Sequence, residues 1–511
     1  MPISREPVSR EIGSLARSVV PLFAALILAA PAIGQTRPGA AQVTTEDYRR
    51  QAQAELARLK AGRPIEGPAR NVIIFIGDGM GVSTLTAARI YQGQRQGRDG
   101  ESFVTAMDSL AHTALVKTYS HDAQVSDSAP TASAILAGVK LRNGLIGLGP
   151  EAMEDDCAGS KTKAIPSIFD FAQRSGRATG IISTARITHA TPAAAYAHTP
   201  QRDWEADSDM PVAAKGAGCL DVARQMIEQP VGSRLDLILG GGRANFLPST
   251  MSDPEYPNTQ GRRTDGLDLV AAWRKRNPAG AYVWNRSDFA RLDPARAGKV
   301  LGLFEPDHMR YEADRAADKG GEPSLAEMTR TAIAMLGSRK TGYVLLVEGG
   351  RIDHAHHAGN ARRALEDAVA LDGAVRTALE MVDLKNTLVL VTSDHSHTLV
   401  MSGYPKRGNP ILGVVTGVDQ KVAKAKDGKA YTTLGYANGP GATTDAPRAD
   451  PAAGDTTALD YRQQALVPLS GETHGGEDVA VRASGPGAHL FRGTIEQHSI
   501  FHIIHEAMMP N

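Results

Sequence analysis

Short apolar runs alternate along the chain with helical stretches, and this alternation constrains the fold more than any other feature. The apolar runs cover residues 71–76, 179–183, 235–239, 343–347 and 387–392. Apolar residues recur at helical spacing between several of them, at 165–175, 325–336 and 361–382. Continuous apolar runs of this length are typical of strands buried on both faces. The pattern predicts an α/β fold with a doubly wound, mostly parallel central sheet flanked by helices.

Polar residues of the kinds that bind metals follow four of these runs directly. Asp78 follows the first, and His189 and Thr191 follow the second. Glu348 and Asp394 stand at the ends of the fourth and fifth. Ligands bind beyond the carboxyl ends of the strands in open α/β sheets, so we expect the functional site at that edge.

The first 34 residues are typical of a secretory signal peptide. Arginines at 5, 10 and 17 precede an apolar stretch at 18–30, and small residues at 32–34 suit a signal peptidase. The stretch is shorter than the roughly 20 residues of a membrane span, although an uncleaved anchor is the alternative. The C-terminus carries no apolar tail for a lipid anchor. We therefore expect a secreted protein without a membrane anchor, periplasmic if the source is a Gram-negative bacterium.

The chain of 511 residues exceeds the usual size of a single core, so one large domain with insertions, or two domains, is expected. Residues 35–70 are predicted to form an N-terminal tail and a helix, and 71–400 a catalytic α/β domain. Residues 401–465, rich in Gly, Pro, Ala and Asp, are predicted to be a small insertion, and 466–511 to complete the catalytic domain.

Charge and cysteine content narrow the function classes. Lys plus Arg equals Asp plus Glu at 56 each, so no nucleic-acid-specific binding is expected, although a neutral total permits a local patch. The cysteines are Cys157 and Cys219. An exported protein is expected to pair them, and two separate buried thiols are the alternative. Any metal must then be held by His, Asp and Glu.

The stretch 348–357, Glu-Gly-Gly-Arg-Ile-Asp-His-Ala-His-His, is the richest in metal-ligand types. Asp353 and His357 are four residues apart, so both face the same way if a helix begins near Asp353. That spacing suits two ligands of one zinc ion. A solvated polar turn is the alternative.

Two further segments offer ligands. Asp394 and His395 adjoin at a tight turn and can bind one ion from two sides, with His397 nearby. His474, in Gly-Glu-Thr-His-Gly-Gly, alone would be more typical of a structural residue, but the other clusters need another nitrogen ligand. The turn around Asp78 is glycine-rich, yet a carboxylate is unfavourable beside a pyrophosphate, so we prefer a carboxylate that bridges two ions to a dinucleotide site.

Ser128 is the candidate nucleophile. It stands in Ser-Asp-Ser-Ala-Pro at the start of a small-residue helix, where backbone N–H groups favour an anion. A serine needs a base or a metal to activate it, and no Gly-x-Ser-x-Gly motif is present around it. A plain helix N-cap is an equally good interpretation of the local sequence.

Taken together, these motifs resemble the alkaline phosphatase family from about residue 70 to the C-terminus. Their order is Asp-Gly-Met-Gly, Asp-Ser-Ala, His-Ala-Thr-Pro-Ala, Glu-Gly-Gly-Arg-Ile-Asp-His, Ser-Asp-His-Ser-His and Glu-Thr-His-Gly-Gly-Glu-Asp. The animal-type branch is the better match, because His189 and His354 stand where the enteric bacterial branch has Asp and Lys. The resemblance implies hydrolysis of small-molecule phosphate monoesters through a phosphoserine at Ser128, a homodimer, and a crown-like role for the insertion.

The resemblance also implies a role for each matched residue. The first zinc ion would be held by Asp353, His357 and His474. The second zinc ion would be held by Asp78, Asp394, His395 and Ser128. The magnesium ion would be held by Asp78, Thr191 and Glu348. Arg202 would bind phosphate, and His189, His354 and Asp127 would line the site.

Two structural features follow from the same resemblance. Cys157 and Cys219 would form a disulfide. A calcium-like ion would be held by Glu255, the carbonyl of Phe304, Glu305 and Glu322, the last in place of the family's Asp. Pro130 and the insertion depart from the family pattern, which leaves the nucleophile turn, the substrate preference and the dimer contacts open.

Other activities compete with this hypothesis. A phosphodiesterase or sulfatase can be built on the same fold, but Arg202 favours a substrate with a terminal phosphate, and a sulfatase would need a modified cysteine near Ser128. A non-catalytic metal- or phosphate-binding protein would lack the nucleophile or part of the ligand set.

Overall fold

The computed structural model describes residues 44–444 and 447–509, so the predicted signal peptide, 1–34, lies outside the described residues. The strands of the described residues are β1 (Asn71–Gly77), β2 (His112–Lys117), β3 (Ala178–Arg186), β4 (Leu237–Gly241), β5 (Ala281–Val283), β6 (Val300–Leu303), β7 (Tyr343–Gly349), β8 (Thr387–Ser393), β9 (Ser396–His397), β10 (Leu399–Met401), β11 (Leu434–Gly439), β12 (Ala465–Pro468), β13 (His474–Gly475), β14 (Val479–Ser484) and β15 (Thr494–Glu496).

The helices of the same residues are α1 (Thr45–Ala61), α2 (Val82–Arg95), α3 (Ser128–Ala137), α4 (Cys157–Ser160), α5 (Ile168–Arg174), α6 (Ala190–Ala193), α7 (Val212–Gly216), α8 (Val222–Glu228), α9 (Pro230–Arg234), α10 (Leu269–Arg276), α11 (Arg286–Ala290), α12 (Leu325–Leu336), α13 (Arg351–His357), α14 (Ala361–Met381) and α15 (Ser499–Met508). Within the described ranges, no helix is both long and apolar enough to cross a membrane.

The central sheet has ten strands in the order β15-β2-β14-β8-β1-β7-β3-β4-β6-β5. The seven strands from β8 to β5 are all parallel, and β14 runs antiparallel to both of its neighbours. This arrangement confirms the predicted fold class. The predicted runs at 71–76, 179–183, 235–239, 343–347 and 387–392 correspond to β1, β3, β4, β7 and β8.

Strand β1 shows why the sheet needs helices on both faces. Its side chains alternate between two buried layers, because successive residues of a strand point to opposite faces. Ile74 and Ile76 pack in the layer that includes α3 and α15. Ile73 and Phe75 pack in the layer that includes α12 and α14. A strand that buries apolar groups on both faces is held only when both layers are present.

Two smaller sheets lie outside the central one. Strands β10, β11 and β12 form the first, and the predicted insertion bounds, 401–465, fall at the end of β10 and at the start of β12. Strands β9 and β13 form the second, in which His397 pairs with His474. The second sheet therefore joins two of the motifs that the sequence analysis singled out.

Helix α1 belongs to a unit that is separate from residues 63–511. Tyr48, Leu56 and Leu59 make the apolar stripe of α1, and each is at least half exposed.

Cys157 and Cys219 form a disulfide, 62 residues apart in sequence. Cys157 begins α4, and the buried ring of Trp204 packs in the same cluster. The disulfide therefore closes the segment that carries Arg202. Closing a loop of this length is expected to stabilise the fold by about 2–4 kcal/mol.

We predict that Cys157→Ser combined with Cys219→Ser lowers the free energy of unfolding by about 2–4 kcal/mol, because the unfolded chain regains the entropy of the open loop. Urea denaturation of the two proteins measures the difference. The wild-type protein treated with dithiothreitol is the matched control and should unfold at the midpoint of the double variant. Equal midpoints for the oxidised wild type and the double variant would contradict the prediction.

Candidate active site

The register of three neighbouring strands brings distant carboxylates together. Gly77, the last residue of β1, pairs with Gly349 of β7 on one side and with Ser393 of β8 on the other. Asp78 therefore emerges beside Asp394. Gly79 has a φ of +68°, and a Cβ atom there would lie 2.4 Å from the His397 ring. The glycine allows its own N–H to donate to Asp394 Oδ1 at 3.0 Å.

Asp353, His357 and His474 converge at the first cluster. Asp353 Oδ1 lies 3.3 Å from His357 Nε2 and 3.4 Å from His474 Nε2, and these two nitrogens are 3.2 Å apart. Each imidazole donates its Nδ1–H to a backbone carbonyl, His357 to Glu472 O and His474 to Ser126 O. Both Nε2 atoms therefore present lone pairs to a carboxylate oxygen. Three lone pairs facing one another fit a metal ion.

Asp78, Asp394, His395 and Ser128 form the second cluster. His395 Nε2 lies 3.4 Å from Asp78 Oδ1 and 3.3 Å from Asp394 Oδ2. His395 Nδ1 donates to Ser396 O, so its Nε2 also presents a lone pair. Ser128 Oγ lies 3.0 Å from that nitrogen and 3.3 Å from Asp78 Oδ1. The four side chains therefore offer two carboxylates and one imidazole lone pair as acceptors, but only one donor among them, the hydroxyl proton of Ser128.

The third cluster is marked by buried polar atoms without hydrogen-bond partners. The ligand atoms of Asp78, His189 and Glu348 lie within 4.8 Å of one another. Asp78 Oδ2, Glu348 Oε1 and Thr191 Oγ1 are buried and unpartnered. Unpartnered buried carboxylate oxygens are costly, and a hard cation that prefers oxygen ligands would satisfy all three.

The electrostatics of the second and third clusters point the same way. Burial, with the charges of Asp394, Asp353 and Glu348, raises the pKa of Asp78 well above its usual value. Burial also raises the pKa of Glu348 to about 8. The rings of His395 and His474 stack with centroids 3.6 Å apart, so the first two clusters adjoin. Carboxylates that are this close together and fully buried would be stabilised by bound cations.

His397 supports the first cluster without being one of its predicted ligands. Its Nε2 lies 2.7 Å from Asp353 Oδ1 and its Nδ1 lies 2.5 Å from Glu472 Oε2. Burial lowers the pKa of this imidazole, but the two carboxylates outweigh burial and raise it to about 9. A cationic His397 bridges the two carboxylates and fixes the orientation of Asp353.

Helix α3 places Ser128 at its first turn. Asp127 is the N-cap, with its carboxylate accepting from the N–H of Ala129 at 2.7 Å. The interpretation of Ser128 as the N-cap is therefore wrong, because the residue before it does the capping. The hydroxyl of Ser128 is left to face the second cluster. The helix ends at Gly138, whose φ of +77° favours glycine.

Arg202 is held beside this turn. Its Nη1 donates to Asp127 Oδ1 at 3.1 Å, and its Nη2 donates to His189 Nε2 at 3.1 Å. Asp127 thus links the helix start to the guanidinium. Burial and the charge of Arg202 lower the pKa of His189 well below its usual value, so His189 is a neutral acceptor there.

His354 lies at the far side of His189. Their ring centroids are 5.4 Å apart, and the ring of His308 lies 4.1 Å from that of His354. Burial lowers the pKa of His354 to about 3. The sequence analysis missed His308, because no ligand motif surrounds it; its backbone lies beyond β6 and comes close only in the fold.

The predicted calcium-like site is only partly assembled as expected. Glu255 and Glu305 approach each other within 4.8 Å together with Asp318, which the sequence analysis did not identify. Glu322 is outside this group; its Oε1 accepts from the N–H of Arg310 at 2.8 Å, and its Oε2 is buried without a partner. Phe304 is buried directly before Glu305. Asp318 lies in a loop without ligand spacing, so no sequence signal marked it.

Comparison with known proteins places this arrangement among phosphatases. The family model described as alkaline phosphatase matches residues 69–509. The tissue-nonspecific isozyme of alkaline phosphatase from Gallus gallus is 46% identical over 89% of this chain and 88% of the relative. The human isozyme of the same name is 43% identical over 85% and 83%, respectively.

Solved structures support the fold. The alkaline phosphatase of Thermus thermophilus has a TM-score of 0.62 at 23% identity and covers 88% of this chain and 93% of its own. That of the Antarctic bacterium TAB5 has a TM-score of 0.59 at 23% identity and covers 86% and 99%. Both alignments cover most of this chain and most of the solved structure.

The raised pKa of Glu348 predicts how the metal-free protein responds to pH. A carboxyl whose folded pKa exceeds its unfolded value stabilises the fold while protonated, and this contribution is lost as pH rises from about 4.5 to about 8. The Tm of chelator-treated protein should therefore fall across this window, and Glu348→Gln should fall less steeply. Differential scanning fluorimetry measures both.

Metal-loaded wild-type protein is the control, because a bound cation removes the penalty on the carboxylate. Parallel curves of Tm against pH for the metal-free wild type and Glu348→Gln would contradict the assignment.

Proposed function

The chain belongs to the alkaline phosphatase family and is a metal-dependent phosphomonoesterase, and from that premise we propose that Ser128 accepts the phosphoryl group from the substrate. The placement of its hydroxyl carries this proposal. Ser128 Oγ stands at the start of α3, 3.0 Å from His395 Nε2 and 3.3 Å from Asp78 Oδ1. Arg202 donates a hydrogen bond to Asp127, the residue before Ser128.

We assign the clusters to three ions. Asp353, His357 and His474 would hold one zinc ion, which suits two imidazoles and a carboxylate. Asp78, Asp394, His395 and Ser128 would hold a second. Asp78, Thr191 and Glu348 would hold magnesium, which suits an all-oxygen set. Bound there, the ions would lower the pKa of the serine hydroxyl and of water and neutralise charge on the phosphoryl oxygens.

The residues of the chain then define the reaction. Ser128 Oγ loses its proton and attacks phosphorus, a phosphoserine forms, and the bond from phosphorus to the ester oxygen breaks. The leaving alkoxide takes up the proton that Ser128 gave up. A water molecule next attacks phosphorus, the bond from phosphorus to Ser128 Oγ breaks, inorganic phosphate is released, and one proton of the water passes to Ser128 Oγ.

Arg202 binds the transferring group. A planar guanidinium can donate to two phosphate oxygens at once. Its bonds to Asp127 and to neutral His189 fix the plane of the guanidinium before substrate arrives, so less entropy is lost on binding. The ring of His354 contacts that of His189, so His354 would line the same side of the phosphate site.

A fourth cation of the calcium type would be held by Glu255, the carbonyl of Phe304 and Glu305, and we add Asp318 to this set. Glu322 would offer its unpartnered Oε2, while its Oε1 accepts from the N–H of Arg310. Comparing the rise in Tm with added calcium in Asp318→Asn and Glu322→Gln tests the choice: an effect confined to Glu322→Gln would remove Asp318 from the set.

We further propose that the protein is exported and forms a homodimer through its crown-like insertion. Two observations on the insertion support the dimer: Tyr404 is 93% exposed, and Val418 is 83% exposed. Apolar side chains this exposed favour a protein partner. Light scattering of the purified protein gives the oligomeric state, and mass spectrometry of the secreted protein gives the cleavage site expected after residue 34.

Two rivals on the same fold differ in their substrates. Both cysteines lie in the disulfide, so neither is available as the modified nucleophile of a sulfatase. A phosphodiester has two free oxygens, so two bonds to Arg202 would leave none for the metal clusters, whereas a phosphomonoester has a third. A protein that only binds metal or phosphate would not need a nucleophile, so the hydroxyl of Ser128 would have no role in it.

Ser128→Ala should lower kcat for p-nitrophenyl phosphate by about 10³-fold or more and abolish trapping of phosphoserine, because the acceptor oxygen is lost. Phosphate labelling at acidic pH, followed by mass spectrometry, detects the intermediate. Ser133→Ala, a buried serine of the same helix that accepts from Gly147 N, is the matched control and should keep both properties. Near-normal turnover of Ser128→Ala would reject the mechanism.

Arg202→Ala should lower kcat/KM for p-nitrophenyl phosphate by about 10²-fold, as the loss of a preorganised donor typically does, and lower that for bis-p-nitrophenyl phosphate much less. Steady-state kinetics with both esters, with and without chelator, give the ratio. An equal loss for both esters would favour the diesterase, and activity that survives chelation would exclude a metal site.

A further inference from the structure

The edge of the sheet opposite the active site is unusually basic. The seven parallel strands from β8 to β5 all begin at this edge, and each is preceded by cationic side chains. These residues, together called the basic edge, are Arg70, Arg174, Arg177, Arg234, Arg274, Lys275, Arg276, Arg296, Lys299, Arg339, Lys340 and Lys385. The carboxylates in the same connections and on the helix that carries Arg174 are Glu66, Asp170, Asp236, Asp293 and Asp383. The whole chain has no net charge, so the basic edge concentrates an excess that other surfaces balance.

Helix ends explain part of this excess. The helices that lead into the strands end here, and their last carbonyls favour cations. Lys299 Nζ donates to Ser233 O at 2.9 Å, and Arg177 Nη2 donates to Met508 O at 3.0 Å. Arg276 donates to Ile227 O, and Arg70 donates to Arg339 O. These four side chains have a structural task.

Local carboxylates neutralise another part. Arg174 pairs with Asp170 at 2.7 Å, Arg296 with Asp293 at 3.6 Å and Arg339 with Asp236 at 3.7 Å. The remaining side chains, Arg234, Arg274, Lys275, Lys340 and Lys385, are exposed, and no carboxylate of the described ranges lies within ion-pair distance of them. Neither helix ends nor ion pairs account for these five cations.

We propose that the basic edge docks the enzyme on a surface of anionic phospholipid headgroups. Seven strands at about 4.8 Å spacing make the edge roughly 29 Å wide, an extended array that suits many phosphates in one plane. Its connections carry no exposed Phe, Tyr or Trp, which single-stranded nucleic acids use for stacking. They also carry no large exposed apolar side chain that could insert into the acyl layer. Attachment is therefore electrostatic and reversible by salt.

The docked orientation has a consequence for the reaction. Asp78, Glu348 and Asp394 lie at the carboxyl ends of β1, β7 and β8, and the basic edge lies at the amino ends of the same strands. An enzyme held by the basic edge keeps its active site facing the solution. Phosphate esters reach it without crossing the contact, so docking localises the enzyme without altering turnover.

Sedimentation with vesicles tests this proposal on the purified metal-loaded enzyme. Vesicles of phosphatidylcholine with phosphatidylglycerol should bind it at about 0.02 M salt and release it at about 0.5 M, and vesicles of phosphatidylcholine alone should not bind it. The combined variant Arg234→Gln, Arg274→Gln, Lys275→Gln and Lys340→Gln should lower the partition coefficient about tenfold or more. The matched control removes the same number of exposed cations from the insertion: Lys421→Gln, Lys424→Gln, Lys426→Gln and Arg462→Gln.

The control variant should bind like the wild type, and all three proteins should hydrolyse p-nitrophenyl phosphate equally in solution and on vesicles. Three results would overturn the proposal: no binding of the wild type to anionic vesicles at low salt, equal losses in the two variants, or tighter binding to duplex DNA than to the vesicles. Because hydrolysis is measured in the same samples, loss of docking is distinguishable from failure of the proposed mechanism.

Discussion

Repulsion among buried carboxylates at one edge of the sheet is the constraint on which the active site depends. Asp78 is fully buried, and this burial, followed by the neighbouring charges of Asp394, Asp353 and Glu348, raises its pKa. The imidazoles of His357, His395 and His474 do not relieve this repulsion, because each donates its Nδ1 proton to a backbone carbonyl and turns a lone pair inward. Bound cations satisfy the deprotonated carboxylates, so metal binding and the stability of this edge are two aspects of one interaction.

The rigid sheet makes this concentration of charge possible. Gly77, Gly349 and Ser393 are in register across three parallel strands, and apolar layers on both faces hold those strands. Any slip in register would separate Asp78 from Asp394, which lies more than 300 residues away in sequence. The stabilisation from the apolar core therefore offsets the electrostatic repulsion between these carboxylates until cations bind.

The arginine proposed to bind phosphate lies on a different segment from the residues of the metal clusters. Arg202 lies in the segment closed by Cys157 and Cys219, near the buried ring of Trp204. Asp127 links it to helix α3 by accepting from both Ala129 N and Arg202. One carboxylate therefore starts the nucleophile helix and orients the guanidinium, which couples the attacking oxygen to the group that binds its target.

The sequence by itself determined five of the seven parallel strands, β1, β3, β4, β7 and β8, and most of the ligand candidates, because buried parallel strands leave continuous apolar runs and the ligand motifs stand directly after them. It left Ser128 open as a helix cap, and only the fold decided this, since Asp127 Oδ1 lies 2.7 Å from Ala129 N. It also placed Glu322 in a cluster where the fold brings Asp318, and it passed over His308 and the basic edge. Those features arise from segments that are distant in the chain, and local spacing carries no record of which loops the tertiary structure will bring together.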